Sequence, residues 1–254
     1  MGTVHTNRER LGDAEIARVT IDRTDKLNAL DGAMIDKVID AFAGLADDES
    51  IRAVVFDAAG DKAWIGGADI KEMAAIPSPE AARAFISHLH TAMLAVRNLP
   101  VPVIAQVDGY CLGGGMELAA ACDLRIASEA AHFGMPEVQV GLPSVIEASL
   151  LPGIMGRGRA ARLVLTGEVI DAARAYEWGF VEEVVARDQL DAAVRNVTEA
   201  ICKAGPVAMR SQKKLLRHWE QVHPDQAAED SVAVFGGAFE SGEATALLSQ
   251  FAKR

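Results

Sequence analysis

Val101–Gly141 reads VPVIAQVDGYCLGGGMELAAACDLRIASEAAHFGMPEVQVG, and this stretch decides how the chain is read. Its apolar run 101–107 predicts a core strand that ends at Asp108-Gly109. Gly113-Gly114-Gly115 then lead directly into a helix predicted over 114–122. A helix N-terminus carries free N–H groups and the positive end of the helix dipole. Glycines in front of it leave no side-chain bulk between that backbone and a ligand. The spacing is not G-x-G-x-x-G and no Lys-Ser/Thr follows, so neither nucleotide fingerprint fits. The arrangement suits a developing oxyanion, for which one such donor is typically worth ~10²–10³ in rate.

Glu117 falls in the first turn of this helix. One reading is a surface acid that complements the dipole. The other follows from its neighbours Met116, Leu118, Ala119, Ala120, Ala121 and Cys122, which are all apolar or small. A glutamate on a helix buried nearly all round is desolvated, which raises its pKa towards the working range of a general acid or base. Glu137 follows twenty positions later, beside Pro136 and ahead of Gly141. Two carboxyl groups flanking one small site form an acid/base arrangement.

Working outward, 14–22 alternates apolar and polar residues and predicts a strand. A polar turn over 22–26 precedes a helix over about 32–46, capped by Asn28 or Asp31. Residues 52–57 form a strand whose unbroken apolar centre fits a buried parallel sheet. Ser78-Pro79 opens a helix to about Arg97. A short strand is predicted over 124–127. Ser144 and Glu147 match a capping box that opens a helical region to about Leu165, interrupted at Pro152-Gly153. Asp171 to Trp178 reads as a short helix ended by Gly179, with strand-like residues over 180–185. From Asp188 the chain is helical, with new starts at Pro206 and Pro224. Alternating strands and helices followed by helices alone predict an α/β fold with a helical C-terminal extension; the boundary falls near residue 190.

Composition narrows the function. The chain has 254 residues, 50% of them hydrophobic, enough for a sizeable core. A net charge of −11 argues against nucleic acid as a partner, because basic patches supply most of that affinity. No apolar run is long enough to span a membrane, and the first ten residues contain no signal-peptide core. Cys111, Cys122 and Cys202 show no CxxC spacing and are odd in number. They read as reduced thiols in a cytoplasmic protein.

The runs AWIGGADIKEM (63–73), PVIAQVDGYCLGGGMELAAACDLRI (102–126), HFGMPEVQVG (132–141) and LTGEVIDAARAYEWGFVEEVV (165–185) resemble the crotonase superfamily, specifically its enoyl-CoA hydratases and isomerases. With Leu27-Asn28-Ala29-Leu30, the similarity covers most of 14–190. The resemblance implies a spiral of ββα turns over 1–190. It also implies a helical region over 191–254 that builds a homotrimer, or a hexamer of two trimers, and completes the site. It implies an acyl-CoA thioester substrate, with coenzyme A entering as part of that substrate and no separate cofactor or metal. The family's two polarising N–H groups map onto Ala68 and Gly114, and its two glutamates onto Glu117 and Glu137. Substrate contacts map onto Lys26, Ala29, Gly66, Asp69, Ile70, Leu112, Gly113, Pro136 and Gly141, with Lys71 a further phosphate contact. The implied reaction is syn addition of water to a 2-enoyl-CoA. Double-bond isomerisation and hydrolysis of an acyl-CoA or carbon–carbon bond are the enzymatic alternatives. A non-catalytic or RNA-binding role is the alternative of another kind.

The chain departs from the family at 142–152. Hydratases usually carry PGxGGTQRL after the second glutamate and its glycine; here the segment is LPSVIEASLLP. Bulkier residues there reshape the acyl pocket, and Glu147 is either part of the capping box or a third acid in the site. Thr24 also stands where the family usually has proline. The remaining polar candidates read as structural. His88 and His90 lie two apart on a helix and do not share a face. His132 reads as a packed side chain. Lys203, Arg210, Lys213, Lys214 and Arg217 read as a solvated helix face or as contacts to coenzyme A phosphates. Arg157, Arg159 and Arg162 are expected to face solvent or a neighbouring subunit.

Overall fold

The computed structural model describes residues 2–253. The chain opens with a hairpin, β1 (Thr3–Leu11) and β2 (Ala14–Asp22), followed by α1 (Gly32–Ala46). Three strand pairs then repeat one pattern: β3 (Ile51–Ala58) with β4 (Ala63–Ile65), β5 (Val103–Val107) with β6 (Tyr110–Leu112), and β7 (Leu124–Ser128) with β8 (His132–Gly134). Helices α2 (Ile70–Ala74) and α3 (Pro79–Arg97) follow the first pair, and α4 (Gly114–Ala121) follows the second. The first strand of each pair joins a six-stranded sheet of order β1-β2-β3-β5-β7-β10, in which β10 is Glu183–Val185. The second joins a smaller sheet of order β4-β6-β8-β9, in which β9 is Val169–Asp171. Among the described residues, only the β1–β2 and β8–β9 pairings are antiparallel. The result is a spiral of ββα turns.

Strand β3 shows why its apolar run is continuous. Val54 and Phe56 belong to the main core, with Trp64, Phe42 and Met34. Ala53 and Val55 belong to a second cluster with Ile16, Ile104 and Ile126. Helix α8 (Leu190–Lys203) covers that second cluster with Leu190, Ala193 and Val194. The central residues 53–56 of β3 therefore alternate between two apolar layers, as buried parallel sheets require. Strand β1 has no such signature. Its residues are almost all exposed or half-buried, so its pairing with β2 has no apolar periodicity to announce it. An exposed polar edge strand also resists pairing with another chain.

The connecting elements match their predicted signals closely, with local exceptions. Asp31, not Asn28, caps α1 by accepting from the Met34 N–H. Ser78 caps α3, and Asp171 caps α7 (Ala172–Glu177). Pro152-Gly153 does not interrupt a helix; it lies in the first turn of α5 (Leu151–Met155). The break before α6 (Arg157–Thr166) falls at Gly156, where φ is 83°.

The basic run on α9 (Pro206–Trp219) is not simply a solvated face. Lys213 is 4% exposed, and its Nζ donates to Asp123 Oδ2 and to the Val101 carbonyl, each at 2.8 Å. Arg210 donates to the carbonyls of Asp48 and Ile51. Arg217 donates to Asn98 Oδ1. Three of the four Lys and Arg side chains on α9 therefore tie it to strand and helix ends of the core. The last helices, α10 (Pro224–Gly237) and α11 (Glu243–Phe251), pack back against α9.

Replacing Lys213 by methionine keeps the apolar stem but leaves Asp123 half-buried without its cation. Removing one partner of a buried pair costs about 3 kcal/mol or more. Thermal unfolding of Lys213→Met is expected to shift down by several degrees relative to wild type, whereas Lys214→Met leaves the midpoint near its wild-type value.

Candidate active site

The site is built where α4 starts. Gly113 has φ 52°, a conformation glycine adopts without strain. Its N–H donates to the Gly134 carbonyl at 2.8 Å, and its carbonyl accepts from the Glu117 N–H at 3.0 Å. A β-carbon on Gly113 would lie 2.5 Å from Glu137 Oε1, so the Glu137 carboxyl group sits directly over the head of the helix. A β-carbon on Gly115 would lie 2.2 Å from the Ile65 carbonyl oxygen. Helix α4 and strand β4 thus meet backbone to backbone.

That contact brings the loop after β4 beside the helix. A β-carbon on Gly114 would lie 3.7 Å from the Ala68 nitrogen. The loop is held by three hydrogen bonds: Leu30 N to Gly67 O, Asp69 N to Leu30 O, and Gly66 N to Leu27 O. These use the neighbours of Ala68. Among the described residues, the Ala68 and Gly114 N–H groups donate to no protein acceptor.

Asn28 supports this loop from below. It is 1% exposed, and its side-chain amide donates to the carbonyls of Ala59 and Ala63 while its oxygen accepts from the Arg23 N–H. Leu27 and Asn28 both have positive φ, and asparagine is among the few residues that tolerate it. The sequence offered Asn28 as a capping candidate and as part of the Leu27–Leu30 run that resembles the family, not as a buried support.

Glu117 is 3% exposed. Its Oε1 accepts from the Ala148 N–H at 2.9 Å. Burial pushes its carboxyl group up to about 8 from an ordinary 4.5, opposed by that N–H and reinforced by the nearby Glu137 and Glu147. Glu137 is half-buried, and its Oε2 accepts from Ser144 Oγ at 2.9 Å. The capping-box reading of Ser144 and Glu147 is therefore overturned. Ser144 turns to Glu137. Glu147 is 2% exposed and meets His90 Nδ1 at 2.9 Å, and no side chain caps the 3₁₀ turn Ile146–Leu150. Glu147 is a third acid beside Glu117.

Other expected contacts line the same place. Leu112 packs its carbonyl against Gly67. Pro136 begins, and Gly141 ends, the 3₁₀ turn that carries Glu137. Ile70 is 65% exposed just beyond Ala68. Ala29 passes beside the same loop, its carbonyl accepting from Arg23 Nη1. Lys26 and Lys71 are exposed at the two ends of this region. The Asp69 side chain is engaged within the protein, where it caps α2 and meets Arg23. His132 starts β8, its Nδ1 against the Ala130 carbonyl and its ring against Tyr110 on β6. Among the described residues no cluster of three His, Cys, Asp or Glu side chains is arranged to hold a metal. His90 is the site residue with no sequence signal of its own. Its partner is 57 positions away, and nothing in a helix pattern points that far.

In the unfolded chain Glu117 ionises near 4.5, and in the native state near 8. Between those values the native state holds the extra proton. This group therefore weakens folding progressively as pH rises from about 4.5 to about 8, and adds nothing further above that. Urea unfolding across this range is expected to show a shallower loss of stability with pH in Glu117→Gln than in wild type. An identical pH slope in both would show that Glu117 ionises normally.

The enoyl-CoA hydratase/isomerase family profile matches residues 12–252. A crotonyl-CoA hydratase of Syntrophomonas wolfei is 33% identical, covering 89% of this chain and 87% of the relative. A short-chain-enoyl-CoA hydratase of Clostridium acetobutylicum is 32% identical over 95% of this chain and 93% of its own length. The crystal structure of an enoyl-CoA hydratase from Bacillus anthracis superposes with a TM-score of 0.92 at 30% identity, covering 99% of this chain and 96% of that one. The fold, the site architecture and these similarities place the chain in the enoyl-CoA hydratase/isomerase family.

Proposed function

We propose that this protein adds water across the double bond of a 2-enoyl-CoA thioester. The observation that carries the reading is the pairing of Glu117 and Glu137 around the two free N–H groups of Ala68 and Gly114. The thioester oxygen accepts from both N–H groups, and the α4 dipole favours the negative charge that grows there as water attacks. Syn addition needs one carboxylate to take a proton from water and one carboxylic acid to give a proton to the α-carbon. With Glu117 pushed up to about 8, its carboxyl group keeps a proton at neutral pH and supplies the acid of that pair. The proton taken from water by one carboxyl group balances the one given to the α-carbon by the other, and a proton shift between the two resets them for the next turnover.

Lys26 and Lys71 are the proposed contacts for the phosphates of coenzyme A, since both are exposed beside the loop that carries Ala68. The proposed assembly is a homotrimer built by the region after residue 190. Val232, Phe235, Phe239 and Leu248 leave an apolar surface on α10, α11 and the turn between them that a lone subunit would expose to water. The free thiols of Cys111, Cys122 and Cys202 fit a reducing cytoplasmic compartment.

Mass spectrometry after incubation with short and medium 2-enoyl-CoAs tests the reaction. The expected product is heavier by one water; a product of unchanged mass would instead identify an isomerase. Glu117→Gln and Glu137→Gln are each expected to reduce turnover by ~10² or more while thioester binding survives. Near-normal turnover in both would remove the roles assigned to them. Light scattering of Phe235→Asp is expected to report a smaller species than wild type.

A further inference from the structure

Five residues of the departing segment, Ser144 to Ala148, touch both candidate catalytic carboxyl groups. At one end Ser144 Oγ donates to Glu137 Oε2 at 2.9 Å. At the other the Ala148 N–H donates to Glu117 Oε1, also at 2.9 Å. The middle of the segment is strained. Ile146 has φ 39°, and a β-branched residue in that region is a genuine outlier. Such a conformation persists only where its surroundings over-determine it. The side chain after Ile146 supplies the constraint. Glu147 is buried, and His90 Nδ1 lies 2.9 Å from its Oε2, joining the segment to α3. On the neighbouring position of α3, Leu89 packs against Gly114, where a β-carbon would meet its Cδ2 at 3.3 Å. Helix α3 therefore contacts both the oxyanion-binding end of α4 and the segment that holds the two glutamates.

We propose that His90 is a positioning residue for the hydration reaction. Its Nδ1–H donates to the Glu147 carboxylate, this bond holds the strained 144–148 segment in place, and the segment sets the orientation of Glu117 and Glu137 together. The inference rests on the reaction proposed above. It gives the departing segment a catalytic purpose: the histidine–glutamate pair supplies a side-chain lock across the segment. The bond forms between a half-exposed ring on α3 and a buried carboxyl group on the segment. What moves is the geometry of two reacting groups, and displacements of about 1 Å cost up to ~10²-fold in rate.

The test compares wild type, His90→Ala and His90→Asn. The asparagine amide nitrogen falls near the position of Nδ1 and restores the donor. Two readouts are taken: steady-state hydration of a 2-enoyl-CoA, and amide hydrogen exchange over 145–149 without substrate. In His90→Ala, kcat is expected to fall by about 10- to 100-fold with KM nearly unchanged, and exchange over 145–149 to quicken by about tenfold or more. His90→Asn is expected to recover most of the turnover and the protection. An unchanged kcat in His90→Ala overturns the proposal, as does a loss that appears in KM instead of kcat. A wild-type protein that hydrates no enoyl-CoA refutes the proposed reaction. The exchange measurement then decides the lock by itself, with unchanged protection in His90→Ala overturning it.

Discussion

The approach of helix α4 to strand β4, backbone against backbone at Gly115 and the Ile65 carbonyl, is the constraint on which the site depends. A side chain of any size at Gly115 would push the helix away. The Ala68 and Gly114 N–H groups would then no longer face one space. The second sheet exists to make this approach possible. Strands β4, β6 and β8 are three residues each, and each follows a strand of the large sheet after a turn. The helix is also fixed at its far end. Arg125, 5% exposed, donates to the carbonyls of Ala119 and Cys122, where a cation complements the helix dipole.

Once α4 is enclosed, the chemistry of Glu117 follows. A carboxyl group 3% exposed among Met116, Leu118 and alanines loses its hydration, and its charged form becomes costly. Neighbouring carboxylates add to this, and a single N–H from Ala148 opposes it. The same burial that destabilises the charged native state keeps the Glu117 carboxyl group protonated at neutral pH. Glu137 occupies a different setting, half-buried over Gly113 with one hydroxyl donor. Two identical side chains are thereby placed in different surroundings, one enclosed and one partly open to solvent.

The C-terminal helices are tied to the core by cations that a helical pattern presents as solvated. Lys213 reaches Asp123 at the end of α4, Arg210 reaches the start of β3, and Arg217 reaches the end of α3. These tethers lie at strand and helix ends, where carbonyls have no ladder partner. Long basic side chains can bury their stems and still satisfy such carbonyls, which explains how a lysine comes to be 4% exposed.

The sequence by itself determined the elements with strong local physics. Helix α3 starts and ends where Ser78-Pro79 and Arg97 place it, α1 spans 32–46, and the apolar runs became the buried strands β2, β3 and β5. It also marked Glu117 as a buried acid, because apolar residues on every side of a helix leave a charge no route to water. Its motifs were specific enough to identify the family before any fold was seen. Tertiary structure decided what depends on distant partners. Strand β1 is visible only through its pairing with β2. Asn28 became a buried pin because Ala59 and Ala63 lie within reach of its amide. The capping box at Ser144 was displaced because two stronger acceptor–donor pairs, with Glu137 and with His90, were brought within hydrogen-bonding distance. Local patterns report backbone preference and burial over a few residues. Which polar groups meet across 30 to 90 positions is set by how the spiral closes, and that is where the site acquired its third acid and its histidine.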